Sequence, residues 1–293
     1  MDTVFEKKNK RIPPIVLCYD FDGTLISGNM QEYGLIQDLG YSRPEDFWHE
    51  VAAYTKETGC ESVLSYMKYM ADKSASRGFV ITKDSLAAYG RELPYFTGVQ
   101  GWFKAVNNMA HSRGIRTEHY IISSGLTEIL EGTSIAGNLS GIFASSYIYD
   151  PKGHPVWPSR IVNYTGKTQY LYRISKGAMD LGNDRRVNSV VPAEKRHVPF
   201  GNMVYIGDGE TDIPCMQVVK DSGGLSVAVY DPENRRKKNI AEKLKTDGRV
   251  HHALPADYTE SGLLMKSVSD TIDRIALTAE RSLSEEEIFA PCL

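Results

Sequence analysis

Long apolar runs are missing from this 293-residue chain, and none approaches the roughly 18 consecutive apolar residues that a membrane span needs. The stretch Ile15–Leu17 behind Pro13–Pro14 is far too short for a secretory h-region, although Met1–Arg11 ahead of it is basic. Cysteine is scarce: Cys18, Cys60, Cys215 and Cys292 are scattered without metal-type spacing. That argues against a structural zinc site and for reduced thiols in a cytoplasmic protein. Charge excess is also missing, with 34 Lys and Arg against 37 Asp and Glu and a net charge of −3. Such a balance gives no global attraction to nucleic acid or to an anionic membrane, so an anionic ligand must be drawn in by a local site. Internal repeats and low-complexity tracts are absent. What is present is ordinary for a globular protein with a sizeable core, 41% hydrophobic and 24% charged residues. The length fits one large domain or a core with a smaller second one. Nothing in the sequence reads on oligomeric state.

Four apolar runs predict buried strands, each ending in a polar or glycine-containing turn. Ile15–Tyr19 ends at Asp20, Glu118–Ile122 at Ser123-Ser124-Gly125, Asn202–Ile206 at Gly207-Asp208-Gly209, and Leu225–Tyr230 at Asp231-Pro232. Helical periodicity separates them. Gly98–Arg113 places Val99, Trp102, Phe103, Val106 and Met109 on one face, and Lys167–Met179 does the same with Tyr170, Leu171, Ile174 and Ala178. Pro232–Lys245 and Gly262–Ala279 supply two more helices. Strands alternating with helices predict an α/β fold, a doubly wound parallel sheet covered on both faces, with ligands at the carboxyl ends of its strands.

Two stretches break the alternation. Residues 27–97 contain no buried strand and read as helices, Met30–Leu39, Arg43–Thr58 and Cys60–Met70 among them, inserted as a mainly helical subdomain. The expected division is therefore a core of residues 1–26 and 98–293 and a helical insert of 27–97. Residues 143–164 hold two β-like runs around Asp150-Pro151-Lys152-Gly153, which predicts a hairpin projecting from the sheet. The polar stretch Gly182–Pro199 reads as a long surface loop.

The chemistry gathers at the strand ends. Asp20 and Asp22 are two carboxylates at i and i+2 past a buried strand, followed by Gly23, which lets the backbone turn sharply. Like charges at one site need a cation, or one must stay protonated, and magnesium suits carboxylate and carbonyl oxygens. A plain strand-end turn explains the same residues equally well. Gly207-Asp208-Gly209-Glu210-Thr211-Asp212 supplies a second acidic pair at another parallel-strand end. Two acidic turns that would repel have a reason to meet around one metal. Glu210 is expected to face solvent or cap the helix that begins near Asp212.

Taken in order, Asp20-Phe21-Asp22-Gly23-Thr24-Leu25, Ile121-Ile122-Ser123-Ser124-Gly125, Lys167 and Gly207–Asp212 resemble the motifs of the haloacid dehalogenase-like (HAD) superfamily. The resemblance covers residues 15–212, continues plausibly to about residue 280, and implies a Rossmann-like core. It implies a magnesium-dependent phosphatase acting on a small phosphomonoester, with Asp20 as nucleophile and Asp22 as general acid and base. The resemblance also implies that the Asp22 backbone carbonyl coordinates Mg2+. Ser123 matches the hydroxyl that binds the phosphoryl group, with help from Ser124, although Ser-Ser-Gly also reads as a helix N-cap. Lys167 matches the charge-neutralising lysine, 41 residues ahead of Asp208 (208 − 167), with Lys176 and Lys195 as nearer candidates. Asp208 matches a direct metal ligand and Asp212 a group that orients the metal's waters or the lysine. A helical insert after the first motif resembles the cap of the phosphoserine-phosphatase-like branch. In that branch an acidic residue soon after the first motif holds the substrate's ammonium group. Here the stretch is Ile26–Gln31 with Glu32 displaced, a departure that sets phosphoserine itself apart. A phosphotransferase or mutase on the same core, or a non-catalytic binding protein, are the competing readings.

Other motifs carry less. Gly166-Lys167-Thr168 mimics a P-loop end but has Ile161 where glycine is needed, and Asp20–Gly23 mimics a calcium loop with its glycine two positions early. His251-His252 offers a metal pair without neighbouring carboxylates. Arg235–Lys238 reads as the solvated face of an amphipathic helix. Phe47, Trp48, Tyr54, Tyr66 and Tyr69 could line a pocket in the insert or pack its helices together.

Overall fold

The computed structural model describes residues 12–288; the basic segment Met1–Arg11 and Cys292 lie outside them. Seven strands form one sheet: β1 (Ile15–Tyr19), β2 (Thr117–Leu126), β3 (Gly141–Tyr149), β4 (Pro155–Arg160), β5 (Met203–Gly207), β6 (Leu225–Tyr230) and β7 (His252–Pro255). The spatial order is β4-β3-β2-β1-β5-β6-β7. Every neighbouring pair runs parallel except β3 and β4.

Alternation along β1 divides the core in two. Ile15, Leu17 and Tyr19 point to one face, where Val99, Trp102, Phe103 and Val106 pack with Val268 and Ile272. Val16 and Cys18 point to the other, with Tyr170, Leu171, Ile174, Met216 and Val219. Helices Val99–Ser112 and Leu263–Ile288 therefore cover the first face, and Thr168–Lys176 and Ile213–Asp221 the second. A strand buried on both faces must be apolar at every position, and all five residues of β1 have no exposed surface.

Between β1 and β2 the described chain has helices and no named strand: Pro44–Thr58, Ser62–Ser76 and Lys83–Gly90 follow two shorter turns. Glu61 starts the second helix by accepting the Val63 and Leu64 N–H groups. Phe47, Val51, Val63, Met67 and Met70 are buried between these helices and join the first core. Helix Met30–Leu39 of the sequence reading is broken into Met30–Glu32 and Leu35–Asp38, because Gly34 between them takes a positive φ of 96°.

The hairpin extends past the end of β2, as expected: β3 pairs with β2 through Gly141–Ser145 and with β4 only through Ser146–Tyr149. Its first strand, β3, is a member of the parallel sheet alongside β2, and β4 extends that sheet by antiparallel pairing. The turn forms as composed: Asp150 accepts from the Lys152 and His154 amides. The polar stretch 182–199 is less irregular than expected and holds the short helix Asp184–Asn188. Strand β7 was not anticipated. Its His252 and the preceding His251 belong to the strand entry, where the Ser226 amide donates to His251 Nδ1. Among the described residues the candidate metal group is Asp20, Asp208 and Asp212, and it does not include these two histidines.

Candidate active site

Strand register brings the motifs together before any side chain is considered. Tyr19 lies opposite Ile121 on β2 and opposite Ile206 on β5. The next residues along, Asp20, the Ile122–Ser123 step and the Gly207–Asp208 step, therefore leave the sheet side by side. The Asp20 amide donates to the Ile206 carbonyl at 2.9 Å, which fixes the first against the last. This is the point where the strand order reverses, β1 having β2 on one side and β5 on the other.

Glycine permits the close approach. Gly23 has φ +73°, and a Cβ there would strike the Asp208 carboxylate. Gly207 is equally confined by Asp212. Both carboxylates consequently sit against bare backbone.

Lys167 is completely buried, at the end of the turn Tyr164–Lys167 that leads into helix Thr168–Lys176. Its Nζ lies 3.0 Å from Asp20 Oδ1 and 2.7 Å from Asp212 Oδ1. Burial alone would favour the neutral amine, but the two carboxylates outweigh it and hold the lysine charged, its pKa raised. Asp212 also accepts from the Tyr205 hydroxyl at 2.8 Å. Lys176 is elsewhere: its Nζ donates to the Val187 and Ser189 carbonyls and pins the 182–199 stretch, which is more than a solvated position. Lys195 is exposed.

Asp20, Asp208 and Asp212 each offer an oxygen within 4.8 Å of the others, and all three are buried. Burial and the neighbouring Asp212 push the Asp20 carboxyl well above its ordinary range, against the pull of Lys167. Asp22 stands outside this group. Its Oδ1 accepts the Met30 amide at 2.8 Å, and burial raises it to about 7 despite that bond.

Ser123 is buried and its Oγ accepts the Gly125 amide at 3.0 Å, which leaves its O–H free to donate. Ser124 Oγ is buried without a partner. The N-cap reading of these serines does not hold: the following helix, Thr127–Glu131, is capped by Leu126 without a side-chain hydrogen bond. Glu210 is exposed, as expected.

One residue was missed. Lys237, from the basic run Arg235–Lys238, reaches back from helix Arg235–Thr246 to place Nζ 2.6 Å from Asp208 Oδ2. It lines the same cavity of about 350 Å³ as Asp20, Asp22, Ser123 and Asp208. The helix register contained the signal: Asn234 caps the helix by accepting the Lys237 amide, so Lys237 lies in the first turn, just past the end of β6.

The charges permit a test for a cation. Four carboxylates, Asp20, Asp22, Asp208 and Asp212, face two ammonium groups, Lys167 and Lys237. One divalent cation balances the remainder when all four are ionised. Hard oxygen donors on flexible turns are what magnesium takes, usually with waters and phosphate completing its shell. The residues fit that ion.

Residues 17–217 match the family model described as haloacid dehalogenase-like hydrolase. The chain belongs to that family. A curated relative, an uncharacterised protein of Borreliella burgdorferi, is 28% identical across 90% of this chain and 98% of its own. Among solved structures, a phosphoserine phosphatase in apo form superposes with a TM-score of 0.53 at 14% identity, covering 82% of this chain and 92% of that one. A HAD family hydrolase from Salmonella enterica serovar Typhi gives 0.52 at 16% identity, covering 84% of this chain and 68% of that one. At such identities the likeness to these HAD structures is one of fold.

Proposed function

We propose that this protein is a magnesium-dependent phosphatase that hydrolyses a small phosphomonoester through an aspartyl-phosphate on Asp20. The observation that carries the reading is the buried Lys167 bridging Asp20 and Asp212 at 3.0 and 2.7 Å, beside a second aspartate, Asp22, whose pKa is near neutrality. A lone strand-end turn has no need of a buried ammonium. An acid with a pKa of about 7 is suited to give and take a proton at neutral pH.

In the forward step a carboxylate oxygen of Asp20 attacks phosphorus, the P–O bond to the alcohol breaks, and the leaving oxygen takes the proton of Asp22. In the second step Asp22 removes a proton from water, the water oxygen attacks phosphorus, and the bond to Asp20 breaks. Phosphate leaves, and both aspartates return to their starting states. Ser123 donates its free O–H to a phosphoryl oxygen, with Ser124 Oγ beside it. Lys167 pulls Asp20 toward its ionised form, against burial and Asp212, and holds it in place. Lys237 adds a second positive charge at the Asp208 side. Asp20, Asp208 and the Asp22 backbone carbonyl would hold Mg2+, with Asp212 orienting its waters, and the bound ion would neutralise charge on Asp20 and the phosphoryl group.

The division of labour follows the sequence expectation: residues 27–97 as a cap over the site, and residues 1–26 and 98–293 as the catalytic core. The free thiols Cys18, Cys60 and Cys215 support a cytoplasmic setting. The expected substrate is a small phosphorylated metabolite, with no role for nucleic acid or membrane. The test is release of inorganic phosphate from an aryl phosphate with MgCl2. Wild type should be active, and Asp20→Asn should fall by about a thousandfold or more. An Asp20→Asn protein as active as wild type would sink the reading, and transfer to an added alcohol in place of phosphate release would favour a phosphotransferase.

A further inference from the structure

Beside the catalytic cavity lies a second one of about 420 Å³, which shares Asp22 and Ser124 with it. It is where the alcohol half of a phosphomonoester on Asp20 would sit. Its walls come from the inserted helices and from the turn before Lys167: Trp48, Val51, Val63, Tyr66 and Tyr164. Among the described residues no Lys, Arg, His or Glu side chain lines it, and Asp22 is the one carboxyl group that does.

The polar atoms of its aromatic wall are already engaged. Tyr66 donates its hydroxyl to the Ser124 carbonyl at 2.8 Å, and Trp48 donates its indole N–H to Glu32 at 2.9 Å. Glu32 in turn accepts from the Asn29 side chain at 2.6 Å; these neutral donors leave its negative charge in place, and that charge acts on Asp22 at the cavity's edge. What faces the cavity is ring surface, Trp48 and Tyr66 standing edge-to-face at 6.0 Å between centroids. Two polar groups of its wall are uncommitted among the described residues, Ser124 Oγ, which the catalytic cavity shares, and Gln31 Oε1. Gln31 is 2% exposed, lines the cavity, and its Oε1 has no hydrogen-bond partner. A buried acceptor left unpaired costs stability, which a bound donor would restore. Tyr164 holds a φ of +34°, uncommon for a non-glycine residue and a mark of functional sites.

Resting on the phosphatase reading, we propose that the leaving group is a ring-bearing alcohol that carries no negative charge and has one hydrogen-bond donor directed at Gln31. An alcohol bearing a carboxylate or a second phosphate would set that charge against an aromatic wall beside Asp22 and Glu32, with no cation among the described lining residues. Phosphorylated amino acids, hydroxy acids and sugar bisphosphates are thereby disfavoured. The size agrees, since benzene fills a cavity of about 150 Å³ and this one leaves room for a ring with substituents.

A matched set tests it: phenyl phosphate, 4-carbamoylphenyl phosphate and 4-carboxyphenyl phosphate. The carbamoyl ester should exceed the carboxy ester in kcat/KM by roughly a hundredfold. Gln31→Leu should reduce the advantage of the carbamoyl over the phenyl ester about tenfold. Val51→Arg should raise the carboxy ester selectively. Binding gives a readout free of turnover: quenching of Trp48 fluorescence, identified with Trp48→Phe, by 4-hydroxybenzamide but not by 4-hydroxybenzoate. Equal rates, or a preference for the carboxy ester, would overturn the inference. If none of the three is hydrolysed while phosphoserine is, and in an Asp20-dependent manner, the inference falls and the phosphatase stands. If no phosphomonoester is hydrolysed yet the benzamide binds selectively, the catalytic reading falls and the pocket assignment survives; absence of both defeats both.

Discussion

Replacing Lys167 by methionine removes a buried charge while keeping the length and most of the volume of the side chain. Its two carboxylate partners, Asp20 and Asp212, are at most 5% exposed and lose their nearest cation. Breaking a buried pair by removing one partner typically costs about 3–5 kcal/mol. The chain has one escape, which is to protonate a stranded carboxylate. At pH 7 an acid with an ordinary pKa of about 3.9 requires about 4 kcal/mol for this, from 1.36 kcal/mol per unit over roughly three units. The cost of the substitution is therefore capped near 4 kcal/mol per stranded carboxylate at pH 7, and near 1.5 kcal/mol at pH 5. Urea unfolding of EDTA-treated protein at both pH values reads the difference directly. Lys167→Met should lose about 4 kcal/mol at pH 7 and less than half of that at pH 5, while its melting temperature at pH 7 falls by roughly 10 °C. A loss under about 1 kcal/mol at pH 7, or one that does not change with pH, would show that Lys167 is not holding the carboxylates.

Other outcomes follow from the same geometry. Lys237→Met frees Asp208 from its ammonium partner, so Mg2+ should bind the substrate-free protein about fivefold more tightly by thermal-shift titration; the lysine is 42% exposed, so a larger effect is not expected. Gly23→Ala forces a left-handed residue and a Cβ into Asp208, and should cost about 1–3 kcal/mol in urea unfolding with a parallel loss of turnover. His119 is buried with Nδ1 accepting from Tyr19 and Nε2 donating to Asn107, and burial lowers its pKa to about 3. Its folded-state pKa is below the unfolded value of about 6.5, so its contribution is complete above pH 6.5 and lost as pH falls toward 3. By pH 4.5 the loss is about 3 kcal/mol, and His119→Gln should lack that part of the pH dependence in unfolding titrations.

The sheet was legible because its strands are buried on both faces. Ile15–Tyr19 is an unbroken apolar run and Leu225–Tyr230 is interrupted only by Ser226, and both appear in the structure with the bounds expected of them. Strand β7 was not, since His252–Pro255 has only four residues and its entry carries two histidines. The hairpin was found, but not that its first strand starts out as a member of the parallel sheet: which sheet edge a strand joins is set by tertiary pairing, here of Gly141–Ala144 with Tyr120–Ser123, and no local pattern states it. At the site, Asp20, Ser123 and Asp208 were readable from strand ends, because parallel strands in register deliver their last residues to one place. Lys167 and Lys237 belong to helix starts, where a lysine looks the same whether it is solvated or swung back over the sheet. The resemblance of the motif order singled out Lys167, whereas Lys237 was marked only by its place in the first turn of a helix just past β6. The substrate cavity was least readable, for Phe47 and Tyr69 pack on each other whereas Trp48 and Tyr66 line the opening, and all four share one helical pair.

The most direct test of the central proposal is to trap the phosphoryl group on Asp20. Wild-type protein is mixed with an aryl phosphate and Mg2+, quenched within a turnover, and treated with borohydride, which reduces an acyl phosphate to the alcohol. Peptide mass spectrometry should then find homoserine at position 20 and nowhere else, and Asp22→Asn should accumulate more of it because its second step lacks a base. Turnover of the ester with position 20 unmodified, or a trapped phosphoryl group on another side chain, would contradict Asp20 as the nucleophile.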